Sequence, residues 1–324
     1  MKEIKVADNE AGQRLDKLLG KYLNLAGKGF IYKMLRKKNI TLNGKKCDGT
    51  ERLEAGDEIR LFLSDETIRK FSQVFVQEVK KTRLDIVYED RHILLINKPA
   101  GMLSQKAKAE DESLVEYMTD YLLDTGALTR EDLRTFRPGV CNRLDRNTSG
   151  LVVAGKSLAG LQVMADAFKS RSLGKYYYCA VKGRVEGKRT IHGFLTKDES
   201  SNQVTVLEEA VFGSSPISTG YEPAAWKNGY TLLRVQLITG RTHQIRAHLA
   251  SAGHPVVGDM KYGDPKVNDE ARKAFDIRRQ MLHSCLIEFP ELPEPLAYLS
   301  GKRFETPMPR EFVRMFGRDY AQKK

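Results

Sequence analysis

The chain has little of what a metal-stapled or disulfide-stapled protein needs. Its 324 residues include four cysteines, Cys47, Cys141, Cys179 and Cys285. They lie far apart with no C-x-x-C pair, which excludes a disulfide framework or a cysteine zinc site as the expected organisation. Histidine is scarce, and His243 and His248 stand five apart, off the i,i+4 spacing that aims two ligands at one ion. No metal is expected. No apolar run reaches the roughly 18 residues of a bilayer span, and Met1-Lys2-Glu3-Ile4-Lys5 lacks the apolar core of a signal peptide. The expected setting is a reducing cytoplasm, without a membrane partner. Acidic residues are missing from one stretch in particular: residues 11–46 hold ten Lys or Arg against the single Asp16.

That imbalance accounts for most of the chain's net charge of +12, since the stretch contributes +9 and leaves +3 for the remainder. A charge so concentrated points to a polyanionic partner. The same region carries the pattern of a small folded unit. Leu15, Leu18, Leu19, Tyr22 and Leu23 follow helical spacing, as do Ile31, Met34 and Leu35. Ile40-Thr41-Leu42 runs into the hairpin turn Asn43-Gly44, and Leu53, Ile59, Leu61 and Leu63 close the unit. Residues 64–83 contain no Gly or Pro. With Val74, Val76 and Val79 they read as an extended, partly packed connector. The expected division is therefore 1–63, a connector 64–83, and a larger domain 84–324.

In the larger domain, residues 85–90 and 93–97 read as two buried strands leading to the corner Lys98-Pro99-Ala100-Gly101. Leu114 to Leu122 suggest a helix, and Leu158 to Phe168 another that buries Leu161, Met164, Ala165 and Phe168. Strands are expected at Tyr176–Val181 and Tyr230–Ile238, with a helix opening after Gly240. There is no repeating βαβ period and no internal repeat, so the class is mixed α+β. Between the helices lies Asn142-Arg143-Leu144-Asp145-Arg146-Asn147-Thr148-Ser149-Gly150-Leu151, one carboxylate inside a cationic turn. Taken alone, an Asp in a turn bonds its own backbone. Flanked by cations it can also be kept ionised and aimed at a substrate as a nucleophile. A Ser149–His243 triad is conceivable, but no G-x-S-x-G elbow surrounds the serine.

The order of motifs resolves that choice. Ile86-Val87-Tyr88-Glu89-Asp90 through Asn97-Lys98-Pro99-Ala100-Gly101 comes first, then Arg143-Leu144-Asp145 with Thr148-Ser149-Gly150-Leu151. Lys175-Tyr176-Tyr177, Thr239-Gly240-Arg241-Thr242-His243-Gln244-Ile245-Arg246, Gly253-His254-Pro255 and Gly258-Asp259 follow. In this order the chain resembles the RluA family of RNA pseudouridine synthases over nearly its whole length. Arg14-Leu15-Asp16-Lys17, Leu42-Asn43-Gly44-Lys45 and Leu53 to Ile59 resemble the alpha-L RNA-binding module. There the chain has Gly27-Lys28-Gly29 where a Ser-Arg pair is usual.

The resemblance implies a largely antiparallel central sheet with flanking helices and a small helix-helix-hairpin domain before it. It implies that Asp145 is the catalytic aspartate, Tyr177 the active-site tyrosine and Arg246 the arginine that pairs with the aspartate. Arg143 would fill the gap left in the RNA stack by the extracted uridine. Arg14, Lys28, Lys33, Arg36, Lys37 and Lys45 would meet RNA phosphates. The partner implied is structured RNA, with large-subunit ribosomal RNA favoured by the module over transfer RNA, and the protein is expected to act as a monomer. Converting uridine to pseudouridine exchanges no atoms or electrons with the medium, so no cofactor is expected. Asp145 would attack the ribose or the base ring. Two other readings are an RNA-binding assembly factor with an idle centre, and a different Asp-dependent enzyme acting on nucleosides or glycosides. Asp145, Tyr177 and Arg246 together argue against the first, and the lack of an obvious second carboxylate against the other. The family usually has His where this chain has Asn142, and the expected consequence is altered support of the loop.

Overall fold

The computed structural model describes residues 1–74 and 76–318. The N-terminal elements are β1 (Lys2–Lys5), α1 (Leu15–Tyr22), α2 (Lys28–Arg36), β2 (Ile40–Leu42), β3 (Lys45–Lys46), β4 (Glu58–Leu61) and α3 (Asp65–Phe71). The apolar spacings fold as expected: Leu15, Leu18, Leu19 and Tyr22 of α1 pack against Ile31, Met34 and Leu35 of α2. Asn43 and Gly44 both have positive φ, at 50° and 73°, the mirror-image turn that matches the twist of a two-residue hairpin. The sheet is larger than a hairpin, with strand order β1-β4-β2-β3. Strand β1 left no apolar signal because only Ile4 of Lys-Glu-Ile-Lys is even partly covered. A charged edge of this kind discourages pairing with other chains.

The expected extended connector is corrected in its first half. Ser64 accepts from Thr67 N at 3.2 Å and caps α3, whose Ile68 and Phe71 join the N-terminal core. A helical face of one buried residue in seven is too short to register as a period. Val74 and Val76 then pack against the larger core.

The rest of the chain runs β5 (Ile86–Glu89), β6 (Ile93–Lys98), α4 (Leu114–Asp124), β7 (Gly139–Val140), β8 (Ser149–Gly155), α5 (Leu158–Ser170) and β9 (Gly174–Lys182). It continues with β10 (Arg189–Asp198), β11 (Gln203–Leu207), β12 (Ser215–Lys227), β13 (Tyr230–Leu237), α6 (Gln244–Ser251) and α7 (Pro265–Phe275), then β14 (Leu282–Glu288), β15 (Arg303–Glu305) and α8 (Arg310–Phe316). The strands form one sheet in the order β11-β10-β12-β13-β9-β14-β8-β6-β5, with β15 beside β14 and β7 beside β8. Among the described residues β8 and β14 are the one parallel pair. The fold is thus the mixed, largely antiparallel sheet with flanking helices that was expected.

Strand β8 explains why Leu151-Val152-Val153-Ala154 does not alternate. Val152 and Ala154 enter the cluster holding Leu94, Ile96 and Tyr177, whereas Leu151 and Val153 enter the one holding Ile93, Leu95 and Met164. Both faces are covered, so a continuous apolar run is what burial requires. Helix α5 is corrected by a small rotation. Its buried line is Gly160, Met164 and Ala167; Leu161 and Phe168 are half-buried and Ala165 is exposed. Gly160 sets that line, because a Cβ there would stand 2.4 Å from His92 O.

The N-terminal elements touch this body through polar contacts. Leu158 N donates to Asn9 Oδ1 at 2.8 Å, and Arg134 Nη1 donates to Ser72 Oγ at 2.8 Å. No helix among the described residues is long and apolar enough to cross a membrane.

Where β8 crosses β14, Gly150 adopts φ 110° and a Cβ would lie 2.1 Å from Ser284 O. Gly150→Ala is expected to cost about 2–5 kcal/mol of stability, from left-handed strain plus a backbone clash. A shift of the urea midpoint measures it, and an unchanged midpoint would contradict this crossing.

Candidate active site

The run around Asp145 becomes a loop that enters β8, clamped on each side by neighbours distant in sequence. Ser104 Oγ donates to Leu144 O at 2.9 Å and accepts from Leu144 N at 3.0 Å. Thr148 N closes the turn onto Asp145 O at 3.0 Å, and Gln280 Nε2 reaches Thr148 Oγ1 at 3.1 Å. Asn142 accepts from Val153 N at 2.8 Å and donates to Leu151 O at 3.3 Å. Its carboxamide thereby continues the backbone pairing of β7 with β8. The amide thus ties the start of the loop to β8.

Beneath the loop lies Lys98, with no exposed surface. Its Nζ donates to the carbonyls of Pro99, Met102 and Arg146, at 3.0, 2.9 and 3.2 Å. Gly101 N also donates to Arg146 O, at 2.7 Å. The corner 98–101, read from sequence as setting a turn, thus anchors the Asp145 loop from below. Burial pushes the Lys98 ammonium down to about 7, with Asp145 opposing the shift.

Opposite the loop, α6 begins at Gln244 after His243, which sits in the left-handed region at φ 51°. Gln244 fixes that start, donating to Ser218 O at 3.0 Å and Thr219 Oγ1 at 3.1 Å and accepting from Thr239 Oγ1 at 2.9 Å. Two residues on, Arg246 is buried. Its Nη1 donates to Asp145 Oδ2 at 2.8 Å, while Nε and Nη2 form a fork onto Asp259 at 2.7 and 2.9 Å. Asp259 has no exposure and also accepts from the backbone N–H groups of Lys261 (2.8 Å) and Tyr262 (3.2 Å). Burial alone would lower the Arg246 pKa, but hydrogen bonds and charge from Asp259 and Asp145 outweigh it and the net shift is upward. Burial likewise works to raise Asp259, and Arg246 overrides it to hold the carboxyl below its usual range. The side chain of Asp145 keeps 26% exposure, against 7% for that of Arg246.

Tyr177 closes the wall. It comes from β9, is 5% exposed, and lines the same cleft as Arg143, Asp145, His243 and Arg246. Burial raises its phenol above the ordinary value, so the hydroxyl stays protonated at neutral pH. Of its neighbours, Tyr178 packs in the apolar cluster around α7 and α8, and Tyr176 lies under the Arg234 guanidinium at 4.9 Å. Arg143 is exposed at the cleft mouth.

Asp145, Tyr177, Arg246 and Arg143 therefore meet in one cleft. The N-terminal cations do not line it. Lys28, Lys33, Arg36 and Lys37 stand exposed on or just beyond α2, and Lys45 on β3. Arg14 is exposed too, but pairs with Asp16 at 3.0 Å. The Ser149–His243 pairing does not form: Ser149 Oγ bonds His283 Nδ1 at 2.8 Å. His243 Nδ1 faces Tyr262 Oη at 2.9 Å and its Nε2 lies 4.0 Å from Asp145 Oδ1. Two site residues had no role in the sequence reading, Asp259 and Tyr262. The ring of Tyr262 lies 5.2 Å from the Arg246 guanidinium. Gly258-Asp259 marks a turn, but nothing in the sequence says that its carboxylate turns inward.

This constellation can be set against known proteins. A family model described as RNA pseudouridylate synthase matches residues 92–251. Ribosomal large subunit pseudouridine synthase C of Salmonella typhimurium is 30% identical over 298 residues, covering 89% of this chain and 88% of that protein. The protein of the same name from Escherichia coli K12 is 30% identical over 298 residues. Among solved structures, human RNA pseudouridylate synthase domain containing 4 superposes with a TM-score of 0.57 at 19% identity, covering 73% of this chain and 92% of that one. That likeness is one of fold. The chain belongs to the RluA-type RNA pseudouridine synthases, isomerases that convert uridine in RNA to pseudouridine.

Lys98→Met tests the anchor beneath the loop. Its folded pKa, about 7, lies below the 10.5 of a free lysine. The unfolded chain thus binds more protons between those values, and Lys98 favours folding increasingly as pH rises through that window. The stability of the natural protein relative to Lys98→Met is expected to rise from pH 7 to pH 9. The variant also leaves the carbonyls of Pro99 and Met102 unpaired, while Arg146 O keeps the Gly101 N–H, a cost of about 1–3 kcal/mol at either pH. Denaturant midpoints at both pH values give the difference; a difference that falls with pH would contradict the buried cation.

Proposed function

We propose that this chain isomerises specific uridines of large-subunit ribosomal RNA, with Asp145 as the nucleophile. The observation that carries this reading is the 2.8 Å contact between Arg246 Nη1 and Asp145 Oδ2 in a cleft walled by a buried tyrosine. The relatives' names supply the ribosomal substrate, and the basic N-terminal stretch supplies a surface for it.

The chemistry follows from the parts. The reaction breaks the bond between ribose C1′ and base N1, rotates the base, and rejoins C1′ to C5; the C5 proton leaves and N1 gains one. Asp145 provides the nucleophile, fixed in direction by Arg246 so that attack needs little reorganisation. Tyr177 offers the base a flat apolar face. Because its phenol stays protonated, it serves as a hydrogen-bond donor beside the ring and does not itself take the C5 proton, which passes to solvent water.

A base inside a helix must be unstacked to reach the cleft, at a cost of a few kcal/mol. Arg143, exposed at the mouth, offsets that cost by filling the vacated space. Arg14, Lys28, Lys33, Arg36, Lys37 and Lys45 hold phosphates of the surrounding RNA. The RNA-binding unit we extend from residue 63 to Phe71, since α3 packs on its core.

Asp145→Ala is expected to lower pseudouridine formation in a large-subunit RNA transcript by at least about a thousandfold, while RNA affinity stays within a few-fold. Quantifying pseudouridine by mass spectrometry of the digested transcript gives the answer. Turnover comparable with the natural protein would overturn the assignment.

A further inference from the structure

The segment Ile277–Met281 is not used in the mechanism above, yet three parts of the site converge on it. The side chain of Arg279 crosses Gly101, where φ is 99° and a Cβ would come within 2.8 Å of Nη1. Nη1 donates to Ala100 O at 2.6 Å, in the corner that holds the Asp145 loop. The backbone of Arg279 presses on Gly258, where a Cβ would lie 2.2 Å from Arg279 O, one residue before Asp259. The next residue, Gln280, bonds Thr148 at 3.1 Å. Arg279 thus stands where the corner 98–101, the Asp145 loop and the turn carrying Asp259 meet.

At that junction the guanidinium is exposed and makes no ion pair among the described residues. The neighbouring Arg278, by contrast, binds Asp276 at 2.8 Å. One N–H of Arg279 is committed to Ala100 O; the other four meet no partner among the described residues. A cation with its fork fixed in direction and its remaining donors turned to solvent has the form of an oxyanion ligand. Arg146, on the same loop as Asp145, is likewise exposed and unpaired among the described residues. Its carbonyl receives the Gly101 N–H and the Lys98 ammonium.

We infer that Arg279 binds a backbone phosphate of the RNA strand next to the target uridine, with Arg146 as its neighbour on the same rim. This rests on the reading of the cleft as the uridine site. Its contribution is to place the flanking nucleotide, so that the extruded base enters with its ribose over Asp145. The sequence gives no hint of it, since Arg278-Arg279 looks like one solvated pair.

The test uses the full chain and dodecauridylate as the probe. Arg279→Gln is expected to weaken binding and to reduce the slope of log affinity against log salt by about 0.7, the share of one phosphate on a single strand. Arg279→Lys should keep that slope, whereas for Arg279→Gln kcat/KM on a large-subunit transcript should fall more than kcat. A role confined to holding Ala100 would leave the slope unchanged in both variants, and that result would overturn the inference. In the natural protein, dodecauridylate should protect Arg279 from phenylglyoxal, read by mass spectrometry; no protection would overturn it equally, whether or not the glutamine variant folds. Pseudouridine formation by the natural protein is scored separately. Its absence would remove the uridine reading, while the slope and the protection would still decide whether Arg279 binds phosphate.

Discussion

Asp145 does not choose its own direction; Arg246 does, and Arg246 is in turn fixed by Asp259. An exposed Arg–Asp pair would be worth little and would move freely. Here the guanidinium is buried and the second carboxylate has no exposed surface, so the fork between them is set by packing. Removing Arg246 would leave Asp259 as an uncompensated buried charge, which costs about 3–5 kcal/mol. Two carboxylates sharing one guanidinium leave a net negative charge, so Asp145 is positioned without being fully neutralised. The surrounding structure serves this contact: β8 and β14 bring the loop in, Gln244 starts α6 at the right place, and Lys98 closes the floor.

Much of this was legible in the sequence, and the reasons differ by element. The two short helices and the hairpin of the N-terminal unit could be read because each buries one face against water, which leaves a clear period. Strand β8 could be read because both faces are covered. Helix α3, strand β1 and the rotation of α5 could not: a single buried residue leaves no period, and Gly160 acts through a backbone contact with His92 that no pattern encodes.

The site divides in the same way. Asp145, Tyr177 and Arg246 stood in a recognisable order of motifs. Asp259 and Arg279 owe their places to turns that carry a charged side chain inward or across a glycine, and those directions appear only in three dimensions. Asn142 is intermediate. Its departure from the family's residue was visible, but the substitute contact, a side-chain amide extending the β7–β8 ladder, depended on the register of those strands. The arrangement also separates two tasks. Asp145, Arg246 and Asp259 are paired with one another inside the cleft, whereas Arg143, Arg146 and Arg279 around it, and the cations of α2 and β3, stand exposed.

The most direct test of the Asp259–Arg246–Asp145 arrangement is the single-turnover rate of Asp259→Asn on a large-subunit RNA transcript, measured at saturating protein. Asparagine keeps the volume and removes the charge that aims the guanidinium, so a rate lower by about a hundredfold is expected, with RNA affinity unchanged. A rate within about twofold of the natural protein, at unchanged fold and affinity, would contradict the claim that Asp145 is set through Arg246.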